Sequence, residues 1–79
     1  MSDVRMTLAR NIRQARRRRG LLQEDLAEVI GASASETISQ IELGKREVKA
    51  WELSRIARKL NVEFRDLLSP EGPEFGPAA

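Results

Sequence analysis

The stretch Ser35-Glu36-Thr37-Ile38-Ser39-Gln40-Ile41-Glu42-Leu43 gathers hydroxyl, amide and carboxylate groups in one short span and leaves little to bury on its outer side. On a helical wheel of about 100 degrees per residue, Ile41 and Glu42 fall within about 60 degrees of Ile38. Glu36, Gln40 and Leu43 fall near the opposite side, with Thr37 and Ser39 on the flanks. Such side chains donate and accept hydrogen bonds. Histidine and cysteine are absent, which removes the commonest zinc ligand, the thiolate sites and any Ser-His or Cys-His nucleophile pair. The chemistry available is recognition rather than catalysis, and no metal or cofactor is implied.

A second set of candidate residues is cationic. Residues 1–22 carry seven arginines against Asp3 alone, a local charge of +6, while residues 23–79 sum to −4, so the net charge of +2 conceals one strongly basic end. This asymmetry suits attraction to a polyanion, whether DNA, RNA or an anionic membrane. Arg10, Arg13 and Arg17 lie on one face of the first helix, where they act either as a solubilising surface or as contacts to that polyanion.

Five helices are expected to position these groups. The first spans about residues 3–19, with Val4, Leu8, Ile12 and Ala15 on one side and Gly20 as its stop. The second runs from Gln23 to Ile30, burying Leu26, Ala27 and Ile30, and Gly31 closes it through a left-handed conformation. The polar helix follows over about residues 35–43, and Leu53, Ile56, Ala57 and Leu60 define a fourth over residues 49–60, with Asn61 as its stop. Residues 63–68 form the last. SPEGPEFGPAA, with three prolines and two glycines, cannot sustain a helix and is expected to be a flexible tail. Residues 1–68 therefore make one domain and residues 69–79 a tail. At 79 residues, with no disulfide, the core is close to the minimum for independent stability. No apolar run approaches the roughly 20 residues that span a bilayer, and no signal-peptide region leads the chain, so a soluble intracellular protein is expected.

The segment from Gln23 to Lys45 resembles the Cro and phage-repressor helix-turn-helix family, often called Xre-like. The resemblance rests on Gln23 opening the second helix, Ala27 at the small position, Gly31 in the turn, Ile38 and Ile41 in the third helix, and Glu42 before Gly44-Lys45. It extends through Leu8, Ile12 and Arg16 on one side and Leu53, Ala57, Val62, Asp66, Leu67 and Leu68 on the other. This implies an all-α, five-helix lambda-repressor-like domain with the helix-turn-helix at helices 2 and 3. It further implies a sequence-specific transcriptional regulator of double-stranded DNA, in a bacterial or phage-like cytoplasm.

In this family the third helix enters the major groove. The base-reading set is then Ser35, Glu36, Ser39 and Gln40: glutamine pairs bidentately with adenine, glutamate accepts from the cytosine amino group, and serine bonds to several bases. Each also has a plain role as solvation of an exposed helix, and Glu36 can instead repel phosphate. Phosphate contacts are expected from Gln23, Thr37, Lys45 and Arg46. Gln23 joins a side-chain amide to free backbone N–H groups at a helix start. Arg16 and Glu42 form a partly buried salt bridge in similar repressors and are assigned a structural role. Two copies about one DNA turn apart, roughly 34–36 Å, would match a near-palindromic operator. The dimer surface is either the last helix, with Phe64, Leu67 and Leu68, or the region of Trp51; Leu67 and Leu68 are expected to complete the core.

The sequence departs from the family pattern twice. Seven steps separate Gly31 from Ile38 where six are usual, so one extra residue within ASASE lengthens the turn or shifts the helix start, and Ser33 and Ser35 compete as N-cap. Leu22 stands where a capping serine or threonine is common, a loss of about 1 kcal/mol that Asp25 can offset by reaching back. Two other functions compete with the repressor reading. One is a protein-interaction module, such as an antitoxin or adaptor with a toxin-like partner. The other is the DNA-binding fragment of a larger regulator: KREVKAWELSRIARKLNVEFRDLL resembles domains that precede zinc peptidases, although no HExxH occurs here.

Overall fold

The structure is a computed structural model describing residues 3–32, 35–70 and 72. Its elements are α1 (Val4–Arg18), α2 (Gln23–Val29), α3 (Glu36–Glu42), α4 (Ala50–Leu60) and α5 (Phe64–Leu67), and no strand occurs among the described residues. Helix α1 packs on α3 and α5, α2 packs on α3 and α4, and α4 closes against α5. Every helix sends its apolar stripe inward: Leu8, Ile12 and Ala15 from α1, Leu26 and Ala27 from α2, Ile38 and Ile41 from α3, Leu53, Ile56, Ala57 and Leu60 from α4, and Leu67 from α5.

The helix ends follow from local chemistry. Asp3 caps α1 by accepting the Arg5 N–H at 3.0 Å. At the other end Gly20, at φ +68, lets the N–H groups of Gly20 and Leu21 fold back to the carbonyls of Arg17 and Arg16. This double closure satisfies carbonyls that would otherwise be orphaned at the helix end. The same pattern ends α2 at Gly31 and α3 at Gly44, and Asn61 supplies the left-handed residue after α4. Leu22 offers no cap of its own, and Asp25 reaches back to accept the Leu22 N–H at 2.7 Å, as the sequence suggested.

A Cβ on Gly44 would displace the sulfur of Met6, whose exposed side chain from the start of α1 lies over the end of α3.

Several sequence expectations are corrected. Val4 is 64% exposed rather than part of the α1 stripe: it is the first residue of the helix, a turn before Leu8, where the core begins. Leu68 is exposed too, because a one-turn α5 can direct only one of two adjacent leucines inward, and Leu67 takes that position. Phe64 and Trp51 also remain exposed, Trp51 with the Arg55 guanidinium 5.2 Å from its ring centroid. Ser35 occupies the N-cap of α3 but makes no side-chain capping bond. Ser33, its competitor, and most of the expected tail lie outside the described residues.

A residue the sequence reading passed over joins the two ends of the domain. Asn11 is fully buried, its Nδ2 donating to the carbonyls of Leu67 and Ser69, both at 2.8 Å. Arg10 donates to the Pro70 carbonyl at 2.6 Å beside it.

Candidate nucleic-acid interface

Helix α3 begins at Glu36, so the extra residue counted between Gly31 and Ile38 is accommodated before the helix, between the end of α2 and Ser35. From Glu36 onward the wheel holds. Ile38 and Ile41 are buried, Glu36 and Leu43 are exposed, and Ser35, Thr37, Ser39 and Gln40 are half-buried. The polar donors and acceptors of α3 thus surround the side away from its isoleucines.

What fixes α3 is a carboxylate shared by three segments. Glu42, buried at the end of α3, accepts from Arg16 Nε at 2.7 Å and from Arg16 Nη2 at 3.1 Å. Gln23 Nε2 donates to the same carboxylate at 3.2 Å, and Arg16 Nη1 donates to the Leu21 carbonyl at 2.9 Å. The bidentate fork matches guanidinium to carboxylate. Together these bonds lock the end of α1, the start of α2 and the end of α3. Gln23 therefore has one amide N–H in this network, and its second remains for another acceptor.

Lys45 and Arg46 follow α3 but stand differently. The Lys45 backbone N–H closes α3 on the Gln40 carbonyl at 2.9 Å, and its side chain is exposed. Arg46 turns to α4, where its guanidinium forks onto Glu52 at 3.1 and 2.9 Å and also donates to the Glu47 carbonyl. Buried Glu52 accepts the Lys49 N–H at 3.0 Å as well. The Arg46 hydrogen bond holds the Glu52 carboxyl below its ordinary value against the opposing effect of burial. The sequence reading missed Glu52, although its place three residues after Lys49, at the start of α4, is the position from which a glutamate reaches back to a helix start.

The arginines of α1 also divide. Arg10 is drawn to Pro70 and Asn11. Arg13 and Arg17, both exposed, instead border a hollow that also takes in Gln23 and Ser39. Among the described residues no cluster of acidic, histidine or cysteine side chains could hold a metal ion. No helix among them is long and apolar enough to cross a membrane.

Two short helices crossing at Gly31, the second presenting polar side chains over a locked base, define a helix-turn-helix DNA-binding domain. The helix-turn-helix family pattern matches residues 12–67, and the chain belongs to that family, in its Cro and phage-repressor (Xre-like) form. The solved structures agree. The hypothetical transcription factor NHTF from Neisseria is 31% identical, with 86% of this chain and 77% of that one covered at a TM-score of 0.77. The restriction-modification controller protein C.AhdI from Aeromonas hydrophila is 29% identical, covering 78% of this chain and 92% of its own, at a TM-score of 0.70. The clp gene regulator ClgR from C. glutamicum, 24% identical, shares the fold over 100% of this chain and 97% of its own, at a TM-score of 0.78. No curated protein sequence matches the chain. The protein is a DNA-binding transcriptional regulator acting on double-stranded DNA, not an enzyme.

Proposed function

We propose that the protein is a cytoplasmic repressor that binds a near-palindromic operator as a symmetric dimer and acts by occluding promoters. The observation that carries this reading is the presentation of α3: Ser39 and Gln40 stand on the side away from buried Ile38 and Ile41, over a base fixed by Glu42. Gln40 reads adenine, with Ser35, Glu36 and Ser39 contributing at neighbouring positions. Gln23, Thr37 and Lys45 contact phosphate. Arg46 joins them only by leaving Glu52, since its fork is occupied in the free protein. The DNA-binding domain comprises residues 1–68. A single helix-turn-helix makes few base contacts, so two copies about 34–36 Å apart supply the affinity. Phe64, at the start of α5, and Leu68, just after its end, are both exposed and four residues apart, and are the side chains to substitute in testing self-association.

The test is selection of bound sites from a random DNA pool, followed by gel shift of the recovered site against random duplex. An inverted repeat with half-sites one turn apart is expected. Gln40→Ala should cost about 1–3 kcal/mol on that site while leaving binding to random duplex unchanged. Failure to discriminate the recovered site from random duplex would overturn the reading.

A further inference from the structure

We propose that Arg13 and Arg17, with Gln23 and Ser39, form a seat for a DNA backbone phosphate on the α1 side of the reading helix. The proposal rests on the DNA-binding function above and adds to it the path of the backbone across the protein.

The four side chains come from three helices and border one hollow. Two other charges border it, Arg16 and Glu42, and these neutralise each other through their fork. The charge left over is that of Arg13 and Arg17, whose side chains make no hydrogen bond or ion pair among the described residues. They sit at i and i+4 on α1, one turn apart, where like charges repel. An arrangement that places two uncompensated guanidinium groups on one rim, beside a neutral amide and a hydroxyl, suits a monoanionic phosphodiester. The guanidinium forks match its oxygens, the unused Gln23 N–H and the Ser39 hydroxyl can donate to it, and no free carboxylate opposes it.

Position strengthens the assignment. Ser39 precedes Gln40, so a phosphate in this hollow lies directly beside the groove that α3 enters. Arg13 and Arg17 also border the adjoining groove along α1, which reaches Met6 and Leu43, so the seat opens onto a continuous track rather than a closed pit. Arg10 shares that face but is held by Pro70, which separates it from the two free cations.

The experiment measures duplex affinity of the full chain against salt concentration, on the selected site and on random duplex. The variants are Arg13→Ala, Arg17→Ala, the double variant and Arg58→Ala, exposed on α4, as the control for general charge. Both seat arginines neutralise one phosphate, so the seat as a whole contributes about 0.9 to the slope of log affinity on log salt. Over a fourfold rise in salt, the double variant should therefore lose about 3.5-fold less affinity than the parent, with each single variant between the two. The ratio of selected to random affinity should stay unchanged, unlike in Gln40→Ala. A slope in the double variant equal to the parent's, or a change of the same size in Arg58→Ala, would overturn the seat while leaving the DNA-binding reading intact. A parent chain that does not discriminate the selected site would overturn that reading and the seat with it.

Discussion

Glu42 is the point at which the reading helix is secured, and its removal gives the sharpest test of how. In Glu42→Ala the Arg16 guanidinium, on a side chain 12% exposed, keeps only the Leu21 carbonyl, and Gln23 loses its acceptor. Breaking a buried ion pair from one side costs about 3–5 kcal/mol, because the remaining charge stays desolvated. The surviving Leu21 bond and the partial exposure of Arg16 place this site at the low end, about 3 kcal/mol. At about 4–8 °C per kcal/mol for a domain of this size, the melting temperature should fall by about 12–24 °C. Thermal unfolding followed by far-ultraviolet circular dichroism reads this directly. Arg16→Met/Glu42→Leu, which removes both charges and fills the space, should recover at least half of the loss, since no buried ion is left alone. A fall below about 4 °C in Glu42→Ala, or a double variant as unstable as the sum of its singles, would refute the reasoning.

Other consequences are as direct. The lowered Glu52 carboxyl contributes stability above the ordinary glutamate value of about 4.3, and this is lost as the pH falls through its depressed folded value. Glu52→Gln should therefore flatten the acid limb of stability against pH, measured by denaturant unfolding; an unchanged limb would show that the Arg46 pair contributes nothing there. Gly44→Ala should destabilise by about 1–2 kcal/mol through its left-handed backbone, the exposed Met6 thioether swinging aside at little cost. Adding Met6→Ala should leave that loss unchanged, and a recovery of half or more would show that the thioether, not the backbone, is the cause. Asn61→Ala, at φ 60, should cost about 1 kcal/mol in urea unfolding, whereas Asn61→Gly should cost nothing.

The helix frame was legible because its signals are local. Apolar residues at helical spacing and the stops at Gly20, Gly31 and Asn61 depend on neighbours within one or two turns. Errors arose where position in the fold overrides pattern: Val4 continues the α1 stripe on a wheel but stands a turn before Leu8, where the core begins, and Leu68 follows a leucine that has already taken the inward side. What could not be read were polar groups whose partners are distant. Asn11 lies between Leu8 and Ala15 on the buried stripe, a polar residue among apolar ones, yet its acceptors are carbonyls of a segment far along the chain. Arg46 is expected at phosphate because it follows α3, and no local signal marks its pairing with a carboxylate six residues on. The convergence of Arg13 and Arg17 with Gln23 and Ser39 requires knowing how α1 crosses the helix pair, which no wheel of a single helix contains.

The amide of Asn11 has a consequence for how the domain opens. Helix α5 is four residues long, too short to persist in water by itself, and its carbonyl end is held across 56 positions by a side chain of α1. Local unfolding of α5 would strand a buried amide with two unmatched donors, so the first and last helices should exchange their amide protons as one cooperative unit. Cleavage between α4 and α5 would then loosen α1, the helix that carries Arg13 and Arg17, and a cut remote from α3 would be felt in how firmly the protein grips a duplex.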